Sequence, residues 1–506
     1  MDKTEFLKEF TAWTQEKGFI WGPEPEIYGG LAGFYTYGPM GKLLKNKIEN
    51  TIRKTFTSNG FWEMEGPTVL PNPVWKASGH LDTFKDPVIT CSKCNASFRA
   101  DKIIQEKYDV PADAFSTDEM LAFIQEKKIT CPSCSSPFKP HIEKISLMMA
   151  TKVAGVDAAM RPETATVTYL PYKRFYTFFR KKLPIGVFQI GKAYRNEISP
   201  RQSITRGREF TQAEGQLFID PQEKNNWAQY EPIKKDILPL WTWQDQKAET
   251  MSDPMSLETA IANGQIKTQA YAWAVWLAYQ HFRNMGIPPE RIRIRQHHPD
   301  EKAFYADDAW DIEVRTNAYG WMEMCGVHDR TDYDLTQHEE HSGAILEAAR
   351  ENGEKFKPHI IEIAFGSDRP TFAILDTFYD KKEKDEGKSI FEVPYHLAPI
   401  DIAIFPLVKK EPLLSNGEKI KKLLEKEFII DYDISGTIGK RYLRAAEVGT
   451  PYSLTIDFEG ITVRDRDSEK QIRVEEENLR DTMRNLLNKA VAFEDAGTLI
   501  ESKVSE

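Results

Sequence analysis

FQIGKAYRNEISPRQSITRGREFTQAEGQLFID, residues 188–220, reads as strand, loop, strand. An apolar run (Val187, Phe188, Ile190) ends in Tyr-Arg-Asn-Glu. A polar loop follows with Pro200, Arg201, Arg206 and Gly207, and the chain returns through Phe210, Gln212, Glu214 and Gln216. Side chains two apart share a strand face. Arg195 and Glu197 are therefore predicted to point one way, and Phe210, Gln212 and Glu214 to share a face. The pattern offers a guanidinium for phosphate, a carboxylate for an exocyclic amine and an arginine-bearing loop beside both. Arginine suits phosphate because its planar fork binds two oxygens and stays charged. Taken alone, the Arg-Asn-Glu triplet equally describes a solvated cross-strand ion-pair ladder.

Outward from this stretch, bulk properties set limits. At 506 residues the chain is too long for one core, and about three domains are expected. The formal charge of −10 argues against a uniformly nucleic-acid-coating surface, so any RNA site must be a local basic patch. Lys173–Lys182 (KRFYTFFRKK) is one candidate; the alternative is an amphipathic helix with its aromatics facing a core. The N-terminus lacks an apolar signal segment and no run of 18 apolar residues exists, so no membrane partner and a cytoplasmic location are expected. Five cysteines, four in two CxxC pairs, indicate metal in a reducing compartment rather than a disulfide framework.

Phe6, Phe10 and Trp13 recur at helical spacing. Tyr28–Pro39 is glycine-rich and aromatic, but fits no phosphate-loop spacing and reads as a tight hairpin against the core. Met40–Phe56 reads as an amphipathic helix with a basic outer face, followed by a strand that stops at Pro67. Cys91–Cys94 and Cys131–Cys134 are two zinc-knuckle spacings, 36 residues apart, with helical patterns at 100–108 and 117–127 between them. Structural zinc on four sulfurs is expected, with free thiols as the alternative. Cys325 reads as a buried small hydrophobe. Glu163, after the Pro162 turn, reads as a helix cap, and Arg99 as an ordinary exposed side chain. His328, His338 and His341 read as surface histidines near a helix start. Glu323 sits mid-strand among apolar residues and needs a partner. At 360–376 a strand ends at Gly366, Ser367 or Asp368 can cap the next helix, Pro370 fits its first position, and Arg369 sits where a helix N-terminus favours phosphate. Lys381–Lys388 is a charged linker, 397–406 a near-continuous apolar strand of a parallel sheet, and a last helix lies near 477–487.

Three of these segments together resemble the class II aminoacyl-tRNA synthetases. Residues 40–67 resemble motif 1, residues 188–220 motif 2 and residues 360–376 motif 3. REFTQAE (208–214) and RPETA (161–165) resemble the glycyl-tRNA synthetases of the homodimeric type. Ile363-Ala364 departs from the family's usual Pro-Ser, so a serine hydroxyl that would help position glycine is absent. The resemblance implies an α+β fold in four parts. Residues 1–85 and 151–390 form an antiparallel-sheet catalytic domain, 86–150 a zinc-ribbon-like helical insertion, and 391–506 a C-terminal α/β anticodon-binding domain. It implies a homodimer, with ATP, magnesium, glycine and tRNA(Gly) as partners. By resemblance, Arg195 and Arg369 are catalytic. Asn196, Glu197, Thr205, Arg206, Phe210, Glu323, Met324 and Gly366 complete the ATP site, Glu323 through magnesium. Glycine would meet Arg99, Glu163, Phe210, Gln212, Glu214, Glu362, Ala364 and Gly366. Lys440, Arg441, Arg444 and Arg466 are candidates for RNA. Another class IIa synthetase and a non-catalytic synthetase-like protein are the alternatives; the second should have lost its ATP arginines, and Arg195 and Arg369 are both present.

Overall fold

The structure is a computed structural model and describes residues 3–108, 110, 112, 115–200, 202–381 and 389–500. Arg201 and nearly all of the charged linker at 381–388 lie outside the described residues.

The N-terminal helix α1 (Lys3–Glu16) buries Phe10 and Trp13. Helix α2 (Pro39–Thr57) begins on a proline, whose missing N–H costs nothing in a first turn. Its Leu44, Ile48, Ile52 and Phe56 fall four apart on one fully buried face. Each such side chain contributes roughly 1.5–3 kcal/mol on burial. Phe56 stacks on Phe188 at 4.8 Å, and a Cβ at Gly215 would overlap its ring, which explains a glycine inside a central strand.

The main sheet has eight strands: β1 (Phe61–Glu63), β2 (Ile185–Tyr194), β3 (Glu209–Ile219), β4 (Leu240–Trp241), β5 (Ile292–Gln296), β6 (Asp308–Thr316), β7 (Gly320–Thr331) and β8 (His359–Gly366). Their order is β4-β5-β6-β7-β8-β3-β2-β1. The inner six pair antiparallel, whereas the short edges β1 and β4 pair parallel to their neighbours. Helix α2, helix α3 (Gln269–Asn284) and helix α4 (Asp368–Phe378) share one core with this sheet.

The insertion is a three-stranded sheet, Ser97–Arg99, Lys85–Cys91 and Phe138–Ser146, carrying helices Ala100–Tyr108 and Thr117–Glu126 over a core of its own. Ser116 and Glu119 form a reciprocal capping box at the start of the second helix. The C-terminal sheet has six strands. Ile430–Tyr432, Ile402–Pro406 and Tyr452–Asp457 are parallel, and Gly460–Asp465, Gln471–Val474 and Thr498–Ile500 antiparallel. Ile402–Pro406 pairs parallel on both sides, as expected, within a sheet that is mixed as a whole, and the last strand has too little apolar pattern to be read in advance.

Several expectations are corrected. The Tyr28–Pro39 segment pairs Ile20–Trp21 with Thr36–Tyr37, but Ile27 and Tyr28 are exposed. Its far side buttresses the 195–208 loop, since Arg208 donates its backbone N–H to Gly33 O at 2.7 Å. The outer face of α2 is not uniformly solvated: Lys45 is buried and binds Asp368 Oδ1 at 2.5 Å. Neither Ser367 nor Asp368 caps α4. Asp368 instead accepts from Lys45, Tyr37 and the Thr211 backbone, and Pro370 is the third helical residue. Helix Tyr172–Phe178 buries Tyr172 while Lys173, Arg174 and Phe178 are exposed, so the amphipathic reading holds for one face only.

Candidate active site

Sheet register builds the floor of one cleft. Gln189, Glu214, Ala364, Gly326 and Asp311 are successive cross-strand partners on β2, β3, β8, β7 and β6. On either side run Gly191, Gln212 and Gly366, and Gln216, Glu362 and His328. Ala364 and Gly326 carry almost no side chain at the centre, so the sheet is hollow there, and a cleft of about 620 Å³ opens over it.

One end of the cleft is arginine-rich. Strand β2 stops at Tyr194, so Arg195 and Glu197 lie just beyond it rather than alternating within it. Both still line the cleft. Arg195 donates Nε–H to Pro162 O at 3.0 Å, and its guanidinium lies 5.5 Å from the Phe84 ring centre and 5.2 Å from that of Phe210. Arg206 donates to Glu197 at 3.0 Å. Arg369, at the start of α4, donates to Thr205 O at 3.2 Å and to Glu323 Oε2 at 3.0 Å. Burial lowers the pKa of Arg195, and Arg369 opposes its charge further. Both arginines line the same cleft. Glu323 is half-exposed rather than mid-core. Burial alone would raise its carboxyl, but Arg369, His328 and Arg195 outweigh burial and hold it low.

The other end is acidic. Glu214 accepts from the Thr164 N–H at 2.8 Å and the Thr164 hydroxyl at 2.7 Å. Burial, then Glu362 and Glu163, push its carboxyl up to about 8. Glu163 accepts the Thr166 N–H at 2.8 Å, so it does cap the short helix Thr166–Tyr169 while still lining the cleft. Glu362 accepts from Gln216 at 3.0 Å, Tyr169 at 3.2 Å and Arg330 at 3.3 Å, and pairs with His328 Nδ1 at 3.1 Å. Burial opposes its ionisation, but Arg330 and His328 hold it well below the usual carboxylate range. Gln212 Oε1 is buried without a hydrogen-bond partner beside these acids.

Three findings place the chain. Residues 157–378 match the family model of the tRNA synthetase class II core domain (G, H, P, S and T), and residues 401–486 that of an anticodon binding domain. The chain is 38% identical to a glycine–tRNA ligase of Methanococcus maripaludis over 94% of this chain and 98% of that protein. It is 36% identical to one of Thermococcus gammatolerans and 35% to one of Pyrococcus furiosus, each over 96% of this chain and 99% of theirs.

The chain belongs to the glycine–tRNA ligases.

It is therefore an aminoacyl-tRNA ligase, with the class II core and anticodon-binding domain of that family. Within this ligase the structure brings most sequence-derived residues together. Glu163, Arg195, Glu197, Thr205, Arg206, Phe210, Gln212, Glu214, Glu323, Met324, Glu362, Ala364, Gly366 and Arg369 all line the cleft. Two do not. Asn196 is exposed, its backbone N–H donated to Leu147 O at 2.8 Å. Arg99 stays in the insertion, bound to Asp101 at 2.6 Å and Asp86 at 3.2 Å. The histidine expectation is corrected. His328 lines the cleft and His338 is buried, leaving His341 exposed. The sequence reading missed His328, Arg330 and Gly326. Their spacing of two, alternating with buried Cys325 and Val327, was the available signal. Cys325 is buried, as expected.

Cys91, Cys94, Cys131 and Cys134 converge, with all four sulfurs within 4.8 Å of one another. Sγ of Cys91 lies 3.5 Å from that of Cys134, and Sγ of Cys94 3.7 Å from that of Cys131. Four thiolates on a tetrahedral zinc stand about 3.8 Å apart for zinc–sulfur bonds of about 2.3 Å, so the donor set fits zinc. Such a site has no open position and serves structure alone.

In the C-terminal domain Arg441 donates to Pro406 O at 2.6 Å and Arg466 to Gly449 O at 2.9 Å. Both hold backbone and are buried as side chains. Lys440 and Arg444 are exposed. Lys440, Arg464 and Arg466 line a cavity of about 500 Å³. Among the described residues no helix is long and apolar enough to cross a membrane.

Proposed function

We propose that the protein activates glycine with magnesium-ATP and transfers the glycyl group to the 3′ end of tRNA(Gly). The glycine carboxylate attacks the α-phosphorus in line, the bond to the β-phosphate oxygen breaks, and pyrophosphate leaves. The terminal ribose hydroxyl of the tRNA then attacks the adenylate carbonyl, losing its proton as AMP departs. The carboxylate is already a nucleophile, so the first step needs orientation and charge stabilisation rather than a general base.

One observation carries this reading: Arg195 and Arg369 open into the same cleft as the Glu214 niche. Arg195 would hold the α-phosphate, and Arg206 and Arg369 the outer phosphates. Glu197 reads the adenine amine, Phe210 stacks on the base, and Glu323 meets magnesium on ATP. Ligand binding exchanges the Arg206–Glu197 and Arg369–Glu323 pairs for phosphate, amine and metal. Glu214, Glu163 and Gln212 surround the ammonium, with Glu362 behind them and Ala364 beneath. Larger side chains are excluded sterically, which is the easier direction of discrimination. ATP–pyrophosphate exchange measured with each amino acid tests the reading. Glycine alone should drive it, and equal exchange with alanine or serine overturns the specificity.

A homodimer is supported by β1. This strand is the edge of the catalytic sheet and exposes Trp62 edge-on to exposed Phe178 at 5.8 Å. An open edge beside paired aromatics is a surface that a second copy would cover. For tRNA, the basic cavity at Lys440 and Arg464 is the proposed anticodon contact.

A further inference from the structure

We propose that the cysteine-closed insertion positions the ATP-binding loop, with Ser199 and the Ser97 carbonyl as its latch, so that metal occupancy at Cys91, Cys94, Cys131 and Cys134 sets ATP affinity. The inference rests on the assignment of ATP to Arg195, Glu197 and Arg206.

Three contacts tie that loop to the insertion and its flanks. Phe84, one residue before the insertion's first strand, packs 5.5 Å from the Arg195 guanidinium. Leu147, one residue after its last strand, accepts the Asn196 N–H at 2.8 Å. Ser97 O accepts the Ser199 hydroxyl at 2.9 Å. Ser97 lies on the insertion's edge strand, whose outward side has no neighbouring strand to bond. It is three residues past Cys94, so the metal knuckle and the latch share one short segment. On the catalytic side, Ser199 lies between Glu197 and Arg206, the pair that must open for nucleotide.

Charge runs along the same face. Arg99 is held by Asp101 and Asp86. Asp86 is buried, and its Oδ2 has no hydrogen-bond partner. The Arg99–Asp86 group sits within electrostatic reach of Glu197, and Asp86 within reach of Arg206. Arg99 therefore acts on the nucleotide end through its neighbours, as a positioning residue rather than a contact to glycine. Loss of metal would free the two knuckles, loosen the strand that carries Ser97 and Arg99, and release the loop.

The test uses the full-length zinc-loaded protein. ATP affinity without glycine is measured by equilibrium dialysis, and glycine KM by exchange. Wild type is compared with Ser199→Ala, Ser199→Thr, Arg195→Ala and chelator-treated protein. Ser199→Ala should weaken ATP binding about 3- to 10-fold, the range of one neutral hydrogen bond. Glycine KM should stay within about twofold, as the acidic niche is untouched. Threonine should restore affinity. Chelation should match the alanine effect in wild type and add little in Ser199→Ala. Unchanged ATP affinity in both Ser199→Ala and chelated protein, with Arg195→Ala impaired, overturns the latch alone. Unchanged affinity in Arg195→Ala overturns the ATP assignment and the latch with it.

Discussion

Arg369 and Glu323 form a 3.0 Å ion pair across the arginine-rich end of the cleft, one from the first turn of α4 and the other from mid-β7. Each group satisfies the other, and on the proposed reading nucleotide and metal would replace both. Arg369→Ala should lower kcat/KM for ATP in exchange about 10²–10³-fold, the usual effect of removing one charge-stabilising donor, with glycine KM little changed. Glu323→Gln should shift the magnesium optimum to higher concentration. A magnesium dependence identical to wild type would remove Glu323 from the metal site.

Glu214 gives a pH dependence with a definite sign. Its carboxyl is pushed up to about 8, so in the ligand-free protein it holds a proton at neutral pH. The ammonium of glycine favours the ionised form, and binding should release a proton. Glycine KM should fall as pH rises from 6.5 to 8. A carboxyl raised on folding also destabilises the protein above its unfolded pKa of about 4.3, increasingly until pH 8. Glu214→Gln should abolish glycine activation, retain ATP binding and melt no lower than wild type at pH 8. A flat KM profile would exclude this proton exchange.

The four cysteines should hold one zinc per chain by elemental analysis, and Cys94→Ser, at the exposed ligand, should reduce it. Limited proteolysis should then begin between residues 86 and 146 while the catalytic sheet persists, because the insertion has its own core. Zinc-free purified protein with unchanged protease resistance would leave the thiols as ordinary packing.

Gly191→Ala should displace Arg161 and disturb the acidic end of the cleft. A Cβ there would overlap Arg161 Nη2. Arg161 donates to Lys192 O at 2.7 Å and Gly66 O at 3.0 Å, and anchors the segment carrying Glu163. Each backbone hydrogen bond that this buried guanidinium loses costs about 1.5–3 kcal/mol. Glycine KM should rise more than ATP KM; equal rises would indicate general unfolding instead.

Trp62→Glu should shift the light-scattering mass toward a monomer, since a charge on an apolar contact is desolvated without a partner. A wild-type protein already monomeric at micromolar concentration would rule out the β1 edge as a stable interface.

Local patterns carried much of the architecture. Helix α2 was legible because Leu44, Ile48, Ile52 and Phe56 repeat at helical spacing, and β3 because Phe210, Gln212 and Glu214 alternate. In the 188–220 stretch alternation placed Phe210, Gln212 and Glu214 on one face, whereas Arg195 and Glu197 lie beyond the end of β2 and were named through the resemblance. Arg99 was not: two carboxylates, Asp86 and Asp101, hold it in the insertion, and no spacing shows which of several acids an arginine will meet. His328 was not either, because its partner Glu362 comes from another strand.

Periodicity and residue chemistry, both local, were enough to determine the antiparallel hairpin, the cysteine knuckles and the arginines suited to phosphate. Only the tertiary structure decided which neighbours those groups acquired. A period of two says which face a side chain takes, but not which strand lies beside it or in what register. That register set Ala364 against Gly326 to hollow the floor of the cleft, while packing between elements joined Lys45 to Asp368 across 323 residues and hung the Ser199 loop on the insertion's edge.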